Sequence, residues 1–310
     1  MAVLVIGGTG HRLSSGPSSC RARRDGYQHG RQPGGALLCR LGAKVRSVRG
    51  DVAQFGEVMT AMAEAGAERV VNLAFLIGSG HPPHAALKLN VLGLDNCLEA
   101  ARLLNVKHVV YAGSFAANGR QSNYGERAVT EDDPVHGEYL YARHKIMNEW
   151  QARDYIEKYG MQVTGVRAAY VTGPDKVRGT LDHVKIITEL ALGNAVTIPY
   201  EDAMCCAIHV DDMAEVFARV VLNDKPAHRV YNSGGTAISH GEIAAIVRSC
   251  IPDARILFQN RTGAKPVNAT YLLDNSRLRT EFAIEFPPFR ERVRQIINEV
   301  RQKHGLPAVG

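Results

Sequence analysis

The chain has no apolar run approaching the roughly 18–20 residues that a bilayer-crossing helix requires, so a membrane protein is not expected. It has no CxxC pair either. Six cysteines (Cys20, Cys39, Cys97, Cys205, Cys206, Cys250) lie at spacings that match no zinc site, and they read as free thiols, mostly buried, in a reducing compartment. The start MAVLVIGG lacks the basic stretch and long apolar segment of a signal peptide, so the expected location is cytoplasmic. His209-Val210-Asp211-Asp212 has the residue types of a metal site but reads as a helix start capped by an Asp, and no metal is expected. Internal repeats and low-complexity tracts are also missing.

The formal charge of +6 invites a nucleic-acid partner, yet its distribution argues against one. Residues 1–50 hold nine Lys/Arg and one acid, whereas the remaining 260 residues carry 28 basic and 30 acidic groups. The basicity belongs to one odd N-terminal stretch without interleaved aromatics, so nucleic-acid binding is not expected.

What the sequence does contain is alternation. Val3–Ile6, Lys44–Arg49, Arg69–Ala74, His108–Ala112 and Gln162–Ala168 are short branched runs that read as buried strands. Between them, Met59–Ala65, His84–Leu104 and Tyr141–Tyr159 repeat apolar residues at helical spacing. Such alternation implies an α/β fold, a doubly wound parallel sheet of Rossmann type with right-handed crossovers. Beyond Gly173-Pro174 the pattern loosens. The expected division is a dinucleotide-binding domain over 1–174 and a smaller C-terminal α/β substrate lobe over 175–310, with about 205–235 returning to the core.

Three features carry chemistry. Gly7-Gly8-Thr9-Gly10 after the first strand reads as a turn that lets backbone approach a pyrophosphate; alone it is also an ordinary strand–loop turn. Tyr141 and Lys145, four apart at a helix start, share a face. A phenol titrates near 10, and a neighbouring ammonium favours phenolate, bringing it toward use as a base. A surface helix also shows such pairs. Ser114 follows the strand HVVYA at its carboxyl end, where open α/β sheets place ligands; a turn hydroxyl is the plainer reading of that residue taken singly.

Together these stretches resemble the extended short-chain dehydrogenase/reductase superfamily, in particular the NAD-dependent epimerase/dehydratase family. VLVIGGTG, Gly50-Asp51-Val52, VVNLAF, Asn90-Val91-Leu92-Gly93, YAGSFAANG, the Tyr141/Lys145 pair, VRAAYVTGP and HVDDMAE occur in the expected order. The resemblance implies that Tyr141 is the acid/base, that Lys145 tunes it and holds a ribose, and that Ser114 orients the substrate oxygen. It implies NAD contacts at Gly7, Gly10, Asp51, Val52, Leu73, Ala74, Asn90, Tyr141 and Lys145. It also implies a small-molecule substrate and a homodimer through the helices at about 84–104 and 141–159.

The pattern fails at residues 11–33, where the family has a helix and a second strand. One explanation is a compensated reading-frame shift, because His-Arg codons read one base later can give Ile-Gly, and the gene sequence through these codons tests it; the alternative is a genuine disordered or rearranged segment that weakens cofactor binding. With that strand goes the residue that separates NAD from NADP, so NAD is expected on family habit and NADP stays open. The segment Met204-Cys205-Cys206-Ala207-Ile208 carries no Arg to clamp a nucleotide diphosphate, which points to a smaller or less charged substrate such as a sugar acid, a hydroxyacid or a hydrophobic carbonyl. Arg167 and Arg178 are candidate anion contacts, Arg167 reading better as half of a structural ion pair. Phe115 and Ala116 lack the extra acid/base pair of a dehydratase. The expectation is an NAD(P)-dependent oxidoreductase or epimerase, the alternative being a non-catalytic dinucleotide sensor or scaffold on the same fold.

Overall fold

The computed structural model describes residues 2–7, 12–15, 46–77, 80–260 and 268–310, with backbone alone for 12–15, 46, 47 and 49. Seven strands form the main sheet in the spatial order β10 (Val230–Asn232), β6 (Val163–Ala168), β5 (His108–Ser114), β4 (Arg69–Asn72), β1 (Val3–Ile6), β2 (Arg12–Ser15) and β3 (Arg46–Arg49). The first five are parallel, as the alternation predicts. β2 differs: it runs antiparallel to both β1 and β3. The link from Ile6 to Arg12 is far shorter than the dozen or so residues a parallel crossover needs, so direct reversal is the only pairing open to it.

Both faces of the sheet are covered. Val70 and Val109 face a core with α1 (Phe55–Glu64), α3 (Gly93–Leu103) and Ala152 of α4 (Leu140–Tyr159). Val71, Val110 and Val166 face the opposite core with α6 (Val210–Leu222) and α8 (Ser276–Phe282). Each of these buried branched side chains contributes roughly 1.5–3 kcal/mol, and a strand buried on both faces has no room for polar alternation. The long helix expected at 84–104 forms in three pieces: α2 (Pro83–Leu87) opens with proline at its first position, a π-helical turn spans Lys88–Leu92, and α3 continues. α4 ends at Gly160, whose φ of +65° is the left-handed C-terminal conformation that glycine adopts freely.

The lobe has its own core. Around it stand a three-stranded sheet of β11 (Thr236–Ser239), β9 (Met204–His209) and β7 (Tyr170–Thr172), and a parallel pair of β8 (Val196–Ile198) and β12 (Ile256–Phe258). Ile186, Ile187 and Leu190 of α5 (Asp182–Ala191) pack there with Ile243 of α7 (His240–Cys250) and Ile296 of α9 (Phe289–Lys303). β9 belongs to two cores at once: Cys205 and Ala207 enter the lobe core, while Cys206 and Ile208 enter the core on the sheet's second face. α6 is capped by His209, whose Nδ1 accepts the Asp211 N–H at 3.1 Å. The cap is therefore the histidine and not the expected aspartate. The helix starts at Val210, so Asp211 and Asp212 fall inside its first turn, and Asp212 takes a bidentate contact from Arg292 of α9.

Candidate active site

β5 ends at Ser114, where its backbone leaves the sheet's carboxyl edge, and the Ser114 Oγ accepts the Ala116 N–H at 3.2 Å as the chain turns into a short 3₁₀ segment. α4 crosses above this edge and lowers Tyr141 onto it. The Ser114 hydroxyl lies close enough to Tyr141 to influence its phenol. Burial pushes the phenol up to about 12, and the nearby Ser114 hydroxyl opposes that rise.

Lys145 is buried one turn further along α4, but its ammonium is not aimed at the phenol oxygen. Nζ donates to the Ala112 carbonyl at 2.6 Å and lies 3.3 Å from the centroid of the Phe75 ring, against 5.7 Å from that of Tyr141. Desolvation lowers the lysine to about 7, with Glu149 on the same helix pulling it back up. Spacing alone thus located the pair correctly but not the direction of the charge: in this arrangement the carbonyl and aromatic ring hold it, and the phenol keeps its proton. Phe75 stands edge-on to Tyr141 at 5.1 Å, and Tyr139 stacks on Tyr141 at 6.1 Å, completing an aromatic wall.

Beside this edge lies a cradle. Gly7 has φ +126°, and a Cβ there would stand 2.6 Å from the Ala74 nitrogen and the Leu73 carbonyl carbon. Only glycine lets β1 leave the sheet so close to the backbone after β4. The Leu73 N–H completes the approach by donating to Ile6 O at 2.6 Å. Asp51 follows β3, with its carboxylate accepting the Ala53 N–H at 2.9 Å, and Val52 is buried against Gly93. A glycine-only approach, an acid at the strand end and an apolar neighbour suit a dinucleotide. Gly10 lies outside the described residues, as does most of the 11–33 segment.

Asn90 sits within the π-helical turn and is buried. Its Oδ1 accepts the Leu76 N–H at 2.7 Å, its Nδ2 donates to Leu76 O at 3.3 Å, and its own carbonyl accepts from Asn148 at 2.9 Å. Those bonds pin the loop after β4 to α4, so the residue positions other groups. The π-turn supplies this reach, and helical periodicity gave no warning of it.

Arg167 of β6 is a structural partner: its guanidinium forms two 2.8 Å bonds to Glu149 and a 3.2 Å bond to Asn118 Oδ1. Arg178 is exposed. The lobe's inward-facing cation is one that sequence reasoning passed over. Lys176, on the loop after β7, is mostly withdrawn from solvent; desolvation lowers it to about 8, and Cys205 is near enough to feel its charge. A lysine three residues after Gly173 in an aperiodic loop carries no pattern that marks it as inward-facing. Burial drives the Cys205 thiol up to about 12 and Cys206 higher still, so both stay protonated.

Comparison with known proteins agrees with this geometry. The NAD dependent epimerase/dehydratase family matches residues 4–234. Protein CapI of Staphylococcus aureus is 32% identical over 164 residues, covering 52% of this chain and 48% of that protein. The chain spans about half the length of most curated relatives it matches. Among solved structures, Thermus thermophilus UDP-glucose 4-epimerase in complex with NAD superposes with a TM-score of 0.71 at 23% identity, covering 82% of this chain and 84% of that one. L-threonine 3-dehydrogenase from Trypanosoma brucei superposes with a TM-score of 0.76 at 18% identity, covering 84% of each chain. With its sheet, its glycine approach and a match over three quarters of its length, the chain belongs to the NAD-dependent epimerase/dehydratase family of enzymes, whose cofactor is NAD.

Proposed function

We propose that this chain is an NAD-dependent oxidoreductase or epimerase that acts on a hydroxyl or carbonyl of a small molecule through Ser114, Tyr141 and Lys145. The observation that carries the reading is the placing of Ser114 beside Tyr141 at the carboxyl edge of the sheet, with Lys145 buried one helical turn away. Gly7, Asp51, Val52, Leu73 and Ala74 are the described residues that would hold NAD, which supplies the hydride chemistry when bound.

The chain's own part is proton handling and orientation. Ser114 offers its hydroxyl to the substrate oxygen. Tyr141, holding its proton at neutral pH, is in the state that delivers a proton to a carbonyl oxygen. Working in the opposite direction requires Lys145 to leave the Ala112 carbonyl and turn its charge toward the phenol or a ribose. The rings of Phe75 and Tyr139 flank Tyr141 and hold its phenol in place. Oxidation and epimerisation share this first step, so the same residues serve both.

The test is turnover with NAD over a panel of sugars, sugar acids and hydroxyacids, read by nicotinamide absorbance for oxidation and by NMR for epimerisation. Tyr141→Phe is expected to lose about 10²–10⁴-fold, the usual share of a positioned acid/base. Unchanged turnover sinks the assignment, and cofactor binding with no turnover on any panel member favours the sensor reading.

Assembly follows the same reasoning. Leu87, Leu92 and Leu103, along the α2–α3 helix, are exposed, as are Met147, Trp150 and Tyr159 along α4. Large apolar side chains concentrated on two neighbouring helices are what a homodimeric four-helix interface requires. Sedimentation of the wild type and of Trp150→Asp tests this; a monomeric wild type refutes it. No described helix is long and apolar enough to cross a membrane.

A further inference from the structure

The loop that leaves β7 runs from Gly173 to α5 along the carboxyl side of the main sheet. It lies against the cofactor-side loop, because a Cβ on Gly179 would stand 3.3 Å from the Ile77 side chain. Contacts connect this loop to the Ser114 end of β5. Phe115, the residue after Ser114, meets the Tyr170 ring edge-on at 4.7 Å, and Tyr170 in turn lies 5.3 Å from the His183 ring. Lys176 stands at the far end of this row, its Nζ 3.4 Å from His183 Nε2.

Its surroundings are unusual for a lysine. Asp175, the acid next to it in sequence, is engaged elsewhere, pairing with Lys303 at 2.6 Å. Among the described residues no carboxylate pairs with Lys176, whose one hydrogen bond is to His183. An ammonium has three N–H donors and no acceptor, so His183 Nε2 must accept, and the imidazole is neutral with its proton on Nδ1. Burial and the adjacent lysine agree, holding His183 down to about 3. The site therefore presents a single positive charge, partly desolvated, with donors to spare. A charge placed so needs an oxyanion to complete it.

We propose that Lys176 is the specificity-determining residue of the lobe and binds a carboxylate on the substrate, so that this enzyme takes hydroxy or carbonyl acids in preference to their neutral counterparts. One ammonium beside a neutral imidazole matches one negative charge. A nucleotide diphosphate carries more charge and calls for an arginine fork that is missing from β9. The inference rests on the proposed active site, since the row of rings from Ser114 sets where the acid end of the substrate lies.

The test has two arms on the full chain. In the first, acetic anhydride labels the protein with NAD present, and acetylation of Lys176 is followed by mass spectrometry under D-glucuronate, D-galacturonate, 3-hydroxybutyrate, D-glucose or inorganic phosphate. At least one carboxylate is expected to protect Lys176 at concentrations where D-glucose does not. Equal protection by glucose, no protection by any carboxylate, or stronger protection by phosphate overturns the proposal. In the second arm, Lys176→Met is expected to raise KM for the acid member of an acid/neutral substrate pair about tenfold or more, with kcat nearly unchanged and the neutral member unaffected, because a charged hydrogen bond is lost. Lys176→Arg should recover most of the loss. A fall for both members alike overturns the assignment. The labelling arm reads even in Tyr141→Phe, so failure of the acid/base reading and failure of the carboxylate site are separately visible.

Discussion

Replacing Lys145 by methionine removes a charge that the fold holds at a cost. The lysine drops from its ordinary 10.5 to about 7 because burial strips its water. At about 1.4 kcal/mol for each pH unit, the folded state then carries a penalty of roughly 5 kcal/mol whenever the group is protonated in both states, that is, below about pH 7. The ring of Phe75, 3.3 Å away, steadies the charge that remains by cation–π attraction. Methionine fills much the same volume without the charge. The sign follows from proton counting. Between about pH 7 and 10.5 the unfolded lysine binds more protons than the folded one, so wild-type stability climbs with pH across that window. Lys145→Met lacks this climb. Urea unfolding at pH 6, 8 and 10 should therefore show the variant more stable by about 4–5 kcal/mol at pH 6, by about 3 kcal/mol at pH 8, and by less than about 1 kcal/mol at pH 10. The variant should also lose turnover, since stability gained at a functional group is commonly activity lost. A variant less stable than wild type at pH 6, or an advantage that does not shrink with pH, refutes the reasoning.

Three further outcomes are expected. Phe75→Leu should move the rise in wild-type stability about one pH unit lower while Phe75→Tyr leaves it in place, because the aromatic face and not mere bulk steadies the ammonium. Gly7→Ala should cost more than about 2 kcal/mol and weaken NAD binding by calorimetry, since its Cβ would fall 2.6 Å from the Ala74 nitrogen at a left-handed φ; a neutral effect on both would show that the approach relaxes freely. Arg167→Met should destabilise by about 3–5 kcal/mol by leaving Glu149 without its partner, and adding Glu149→Gln should recover part of that loss in thermal melts.

Much of the architecture was legible because strands buried on both faces, such as Val70-Val71 and Val109-Val110, must be continuously branched and apolar. Ser114, Tyr141 and Lys145 were legible for a related reason: a strand end and a four-residue helical spacing are local, and local geometry is what sequence encodes directly. The rest depended on distant contacts. Nothing within the segment says that Lys145 turns to Ala112 O, because the ring that draws it, Phe75, is seventy residues away. The π-turn around Asn90 arises from packing against Leu76 and Asn148. Lys176 is buried by the fold of the lobe and has no periodicity to give it away. His209 and not an aspartate caps α6 because the helix begins at Val210, which puts Asp211 and Asp212 inside its first turn.

A consequence follows from β9, whose alternate side chains serve the lobe and the sheet's second face. A strand shared in this way rivets the two halves together, so neither can swing as a rigid body about the other without tearing apart apolar contacts on both sides. Heating should therefore produce one melting transition, and a fragment cut after Pro174 should not hold its shape, because it leaves half the rivet behind. Whatever admits the substrate must be the surface loops, working around a frame that stays locked.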